Sequence, residues 1–180
     1  MKIKLLSFLI IIIVTIIIVT YDTMQSPDLI VPNDNQIINI NPIQVPEIDH
    51  MISIDNKILS LDDIKTEIIL INFWASWCAS CITELPSMIQ LIERHQGRVT
   101  LLTISIDDSI SAVEKFKIKL QQQYKISPNQ DHIYWIWDKE KYISLKLFNT
   151  IKIPETFIVN KERLIINKII GTKDWSEITF

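Results

Sequence analysis

The amino-acid sequence predicts an α/β domain, a mixed central sheet with flanking helices, behind an N-terminal membrane anchor. Three observations carry this reading. Ile68–Trp74 (IILINFW) is a continuous apolar run, the pattern of a strand buried on both faces in a parallel sheet, and Val99–Ile106 reads as a second buried strand. Between them, from Cys78 to about His95, residues Cys81, Leu85, Met88, Ile89 and Ile92 recur at helical spacing. At the start of the chain, Lys2 and Lys4 precede an apolar run, Leu5–Val19, broken only by Ser7 and Thr15.

That first run is about 15 residues, roughly 22 Å as a helix, against a hydrocarbon core of ~30 Å. Ile3, Thr20 and Tyr21, with snorkelling lysines, extend it toward a full span. Residues 1–20 therefore read as a signal anchor. The positive charges ahead of the run put the rest of the chain outside the cytoplasm. A cleaved signal peptide is the alternative, although no small-x-small cleavage site follows. Residues 21–46 hold four of the seven prolines (Pro27, Pro32, Pro42, Pro46) among Asn33, Asn35, Asn39 and Asn41. They are expected to form a semi-extended linker.

The folded domain is then 47–180, large enough for a real core. Met51–Ile54 and Lys57–Ser60 flank Asp55-Asn56 as a tight hairpin. Ser60, followed by Asp63, caps a short helical turn. After the first buried strand comes the Cys78–His95 helix, in which Pro86 should introduce a kink. Gly97 ends that segment and Val99 opens the second strand. Ser109 or Ser111 begins another helix, running to about Tyr124, with an apolar face at Val113, Phe116, Ile118 and Leu120. Ile133–Trp137 reads as a short strand carrying core Trp135 and Trp137, and Lys141–Phe148 as a helix. Thr156–Val159 and Leu164–Ile170 form an antiparallel hairpin around Asn160–Arg163. Strand, helix, strand, helix and hairpin in this order make an α/β sandwich with a mixed sheet. The chain holds 40 isoleucines, so a single Ile discriminates poorly between strand and helix.

Composition removes several functions. The net charge is −3, with 18 Lys and Arg dispersed among 21 Asp and Glu, so no nucleic-acid surface is expected. Two glycines, Gly97 and Gly171, are too few for a phosphate loop or a dinucleotide fingerprint. No cofactor or metal is expected. A zinc site needs about four ligands, and His50, His95 and His132 show no ligand spacing. Covalent haem attachment needs His directly after the second cysteine, where Ile82 stands.

The only cysteines, Cys78 and Cys81, have Cys-x-x-Cys spacing. The pair is a redox-active dithiol, a static local disulfide, or half of a metal site. The carboxyl end of a strand in an open α/β sheet is where sites form. The thiolate is the attacking species, and a helix amino end favours it through unpaired N–H groups and the dipole. Cys78 lies at that end and Cys81 one turn inside, so Cys78 is expected to attack and Cys81 to resolve. A static bridge over so short a loop would remove little chain entropy.

The stretch Phe73-Trp74-Ala75-Ser76-Trp77-Cys78-Ala79-Ser80-Cys81, followed by Glu84-Leu85-Pro86, resembles the active-site signature of TlpA-like thioredoxin-fold proteins, the membrane-anchored ResA, TlpA and DsbE/CcmG type. Ile153-Pro154-Glu155-Thr156-Phe157-Ile158-Val159 is similar to the family's cis-proline segment, and its Pro-Glu-Thr-Phe form to the DsbE/CcmG branch. The likeness runs over roughly residues 50–175. It implies a thioredoxin fold, an extracytoplasmic site and reduction of protein disulfides. The implied partners are apocytochrome c or its assembly factors, with a membrane electron donor restoring the dithiol.

Residue by residue, the resemblance implies the redox pair for Cys78 and Cys81, and the loop proline beside the disulfide for Pro154. For Glu84 it implies a carboxylate that exchanges the proton of Cys81; the alternative is a first-turn glutamate complementing the helix dipole. Asn72 stands where thioredoxins proper carry a buried Asp, which moves proton handling toward Glu84. Trp77, Ile153 and Glu155 are the candidate substrate surface, although aromatics here mainly shield the site and Glu155 fits a surface turn equally well. The family's early glycines are replaced by Asn56 and Thr66, and the closing helix after Trp175 is expected to be short or absent. Three rivals are an oxidant of the same fold, a thiol peroxidase, and a copper-handling protein using the Cys pair with His132. The vicinal pair argues against the peroxidase.

Overall fold

The structure, a computed structural model, describes residues 36–48, 51–95, 97–126 and 131–180. The expected anchor (1–20), most of the linker and His50 lie outside the described residues. Among those described, no helix is long and apolar enough to cross a membrane.

The elements are β1 (Gln36–Gln44), β2 (Met51–Ile52), β3 (Ile58–Leu59), a 3-10 turn (Leu61–Asp63), β4 (Ile68–Trp74), α1 (Ala79–Arg94), β5 (Val99–Ser105), α2 (Ile110–Tyr124), β6 (Ile133–Trp137), a π-helical turn (Tyr142–Leu147), β7 (Glu155–Asn160) and β8 (Leu164–Ile170). Six strands form one sheet in the order β1-β8-β7-β4-β5-β6. β4, β5 and β6 run parallel, whereas β7 is antiparallel to β4, and β8 to both β7 and β1. β2 and β3 pair as a separate hairpin.

β4 sits mid-sheet, and its alternation sorts the core. Leu70 and Trp74 join the cluster formed with Cys81, Leu85, Met88 and Ile89 of α1 and with Val113 and Leu120 of α2. Ile69, Ile71 and Phe73 join the opposite cluster, with Leu61, Phe148, Phe157 and Val159. Side chains of a strand alternate between faces, so Asn72, between Leu70 and Trp74 in this pattern, belongs to the α1 side. Aromatic contacts anchor both faces: Trp74 meets Phe116 and Trp135 at 4.7 and 5.6 Å, and Phe73 meets Phe148 and Phe157 at 5.2 and 6.0 Å.

Most expected elements are present. The Asp55-Asn56 turn closes with Asn56 in the left-handed region, φ 61°, which Asn tolerates better than most residues. Ser60 caps the 3-10 turn by accepting from Asp62 N–H at 3.3 Å. α1 runs through the buried Pro86 to Arg94, and Gly97, φ 75°, makes the turn into β5.

Four expectations are corrected. The linker does not extend to Pro46, because Gln36–Gln44 is a strand hydrogen-bonded to β8. Its proline is tolerated because the register shifts between Asn39 and Ile43, a break that contains Pro42. Ile118 lies on the exposed face of α2, while Val113 and Leu120 bury the inner one. Trp137 is only partly buried; its indole N–H donates to the carbonyl of Asp107 at 2.7 Å. In place of the expected Lys141–Phe148 helix, Tyr142–Leu147 winds as a π-helical turn, with Asp138 accepting from the Ser144 and Ile143 N–H groups at 2.8 and 3.2 Å. Residues 171–180 contain no helix; Trp175 anchors them in the core.

Candidate redox site

Cys78 is the N-cap of α1, with extended backbone (φ −88°, ψ 103°). Its sulfur accepts from the Cys81 N–H at 3.2 Å and lies 3.3 Å from the Ser80 hydroxyl. The Cys78 carbonyl accepts from Ile82 N–H at 3.1 Å, so the helix ladder starts here. The two cysteines form a disulfide across this first turn. Cys78 is 7% exposed and Cys81 0%, so Cys78 is the more accessible of the two sulfurs.

Glu84, one turn further into α1, is 2% exposed. It is not a first-turn residue complementing the helix end, since no acidic residue occupies that turn. Its Oε1 accepts from Asn72 Nδ2 at 2.9 Å and its Oε2 from the Lys173 N–H at 3.0 Å. The other Asn72 amide hydrogen goes to Thr156 Oγ1 at 3.0 Å. Burial raises the Glu84 carboxyl from its ordinary 4.5 to about 7, against the opposing pull of the Lys173 N–H and the Asn72 amide. A carboxyl poised near neutrality, three residues from Cys81 on the same helix, suits proton exchange with that sulfur.

β7 brings the second strip of the site. The Ile153–Pro154 peptide is cis. The antiparallel ladder pairs Phe73 with Glu155, so one step beyond it Pro154 lies alongside Trp74, at the root of the turn that leads to Cys78. Pro154 is buried, and its carbonyl accepts from Gly171 N–H at 2.8 Å. Ile153 packs partly against both core clusters. Trp77, directly before Cys78, is 66% exposed.

Two candidates are placed elsewhere. Glu155 is 0% exposed and paired with Lys168 at 2.8 Å, so it is neither a turn residue nor a partner-facing one. It opens β7, paired with Phe73 of β4 and Ile170 of β8. Lys168, partly exposed, also stands 4.8 Å over the Phe157 ring. Lys168→Met is expected to destabilise the fold by about 2 kcal/mol in denaturant melts. That is below the ~3–5 kcal/mol of a wholly buried pair, because water can still approach this one. Adding Glu155→Gln should restore most of the loss by removing the orphaned charge. His132, the supposed copper ligand, precedes the amino end of β6, whereas Cys78 follows the carboxyl end of the parallel β4. It sits at the opposite end of the sheet. Among the described residues no His/Cys/Asp/Glu group suited to a metal occurs.

Three participants escape a reading of the sequence alone. Asp107 holds the turn before Cys78, Thr156 holds Asn72, and the Lys173 backbone holds Glu84. Their partners lie 31, 84 and 89 positions away, beyond any local pattern.

A mixed sheet with antiparallel β7 and β8 beside parallel β4–β6, a cysteine pair opening α1 and a cis-proline before β7 define a thioredoxin-fold protein. Solved structures share it: StoA from Bacillus subtilis aligns with a TM-score of 0.57 and 23% identity over 75% of this chain and 96% of its own. A DsbF homologue from Corynebacterium diphtheriae gives 0.62 and 18% over 81% and 90%. The AhpC/TSA family model matches residues 43–168, and the chain belongs to that family. Similar relatives are the thiol-disulfide oxidoreductase ResA of Bacillus thuringiensis subsp. konkukian, 25% identical over 66% of this chain, and the thiol:disulfide interchange protein DsbE of Pseudomonas aeruginosa, 32% identical over 64%. The matched stretch spans 63% of that ResA and 59% of that DsbE.

Proposed function

We propose that the chain is an extracytoplasmic thiol-disulfide oxidoreductase that reduces disulfides of partner proteins, with apocytochrome c or its assembly factors as partners. Residues 1–20 anchor it in the membrane. The observation that carries the activity is the Cys78–Cys81 pair across the first turn of α1, its outer sulfur at the helix amino end and its inner one a turn from buried Glu84. The names of the ResA and DsbE relatives support the same chemistry.

In the reduced protein the Cys78 thiolate attacks one sulfur of a partner disulfide. The S–S bond breaks, and the partner's other sulfur leaves as a thiolate and takes a proton. Cys81 then gives its proton to Glu84 and attacks Cys78, releasing the second partner thiolate. Two electrons have passed from the dithiol to the partner, leaving the Cys78–Cys81 disulfide. A membrane electron donor returns two electrons.

The full-length chain, purified in mild detergent, should accelerate insulin precipitation by dithiothreitol, and Cys78→Ser should abolish the acceleration. A parent protein no faster than dithiothreitol alone would end this reading. The location is checked separately: alkaline phosphatase fused after Pro46 should be active in cells, and an inactive fusion would place the domain in the cytoplasm.

A further inference from the structure

We propose that Asp107 is the positioning residue for Cys78, its carboxylate gripping both donors of Ser76, the N–H and the hydroxyl, and so fixing the turn 75–78 that seats Cys78 on the amino end of α1. The proposal rests on the redox reading above and adds a residue to it.

β4 ends at Trp74, and within four residues the chain must reverse so that Cys78 caps a helix. The Cys78 N–H closes the turn on the Ala75 carbonyl at 3.1 Å. Of the residues between, Ala75 has no polar side chain and Trp77 is exposed. Ser76 makes the connection to the sheet. Its N–H donates to Asp107 Oδ2 at 2.9 Å and its hydroxyl to Oδ1 at 2.7 Å.

Asp107 is itself fixed. The Ser105 hydroxyl donates to Oδ2 at 2.7 Å, and the Asp107 N–H donates back to that hydroxyl at 3.0 Å. The Trp137 indole N–H donates to the Asp107 carbonyl at 2.7 Å. The carboxylate is thereby part of the ends of β5 and β6, and both its oxygens point into the turn. A buried carboxylate with three neutral donors is a rigid strut, since charge-assisted hydrogen bonds are about twice as strong as neutral ones. Its use follows from the chemistry of the thiolate. A helix amino end stabilises a sulfur anion only over the first turn, and the 3.2 Å contact from Cys81 N–H to the Cys78 sulfur is the bond a loosened turn would lose.

The test is the pH profile of iodoacetamide alkylation of Cys78 in the reduced full-length chain, with Cys81→Ser so that one thiol reacts. The carboxylates buried at this end of the sheet are Glu84, Asp107, Asp138 and Glu155, and Ser76→Ala leaves all four in place. Ser76→Ala is expected to move the midpoint up and to slow alkylation below it by about threefold to tenfold, half to one pH unit of lost thiolate. Ser76→Thr, which keeps the hydroxyl, should restore the parent profile. Asp107→Asn should also move the midpoint up. Loss of negative charge alone would move it down, so the sign separates geometry from charge. The double variant should be no slower than Asp107→Asn alone, because both remove one contact. Unchanged midpoints in folded Ser76→Ala, or a downward shift in Asp107→Asn, would overturn the strut. A parent Cys78 that ionises like a free thiol, near about 8.5, would overturn the strut, whereas failure of the redox reading shows separately, as no gain over dithiothreitol in the insulin assay.

Discussion

Cys81→Ser is expected to accumulate a covalent complex with partner proteins through Cys78, whereas Cys78→Ser traps nothing and turns over nothing. Thiol-disulfide exchange passes through a mixed disulfide, which persists when the resolving thiol is absent. The expectation rests on access: Cys78 is the more exposed sulfur and caps α1, while Cys81 is fully buried. Membranes from cells producing each variant, resolved on non-reducing gels, show the difference directly. The bands should vanish on reduction, and mass spectrometry should place the cross-link on Cys78. Trapping by Cys78→Ser instead would reverse the assignment.

Glu84→Gln should slow resolution of the mixed disulfide by about 10²-fold near pH 7, the low end of general-base effects because water can partly substitute. Formation of the mixed disulfide at Cys78 should change little. Raising the pH ionises Cys81 without help, so resolution by the variant should recover. Stopped-flow mass readouts separate the two steps, and equal slowing of both would reduce Glu84 to a structural role. Stability carries an independent signature. The folded protein holds the Glu84 proton up to about pH 7, while the unfolded chain releases it near 4.5. The native state therefore binds more protons between these values, and stability falls as pH rises through the window, then stays level. The drop amounts to roughly 3 kcal/mol at 1.36 kcal/mol per unit. Glu84→Gln should remove that component from denaturant melts between pH 4 and 8.

The sequence makes the sheet's centre and the cysteine pair legible because both are local. IILINFW is apolar on both faces, α1 repeats its apolar positions at helical spacing, and Cys-x-x-Cys needs no distant partner to be noticed. What stays hidden is of three kinds. β1 is hidden by composition, since Pro42 and the surrounding Asn and Gln residues belong equally to a tether and to an edge strand that shifts register at its proline. Glu155 and Asp107 are hidden by distance. A carboxylate beside Pro154 reads as surface until Lys168, one strand over, is seen to neutralise it. Asp107 reads as loop until Ser76, 31 residues earlier, is found on it. Ile118 fails for a third reason: in a chain this rich in isoleucine the residue type no longer reports burial.

β8, Leu164-Ile-Ile-Asn-Lys-Ile-Ile170, is a low-charge, strongly β-forming segment without proline, the kind that recruits like strands from other molecules. In the folded chain its outer hydrogen-bonding groups are occupied by β1. β1 is a poor template for further growth, since Pro42 offers no N–H and the shifted register breaks the ladder. β1 thus covers the β8 edge against pairing with other molecules. At high local concentration a bare edge of this kind is most hazardous. A chain trimmed at Glu47 keeps the whole redox site and uncovers that edge.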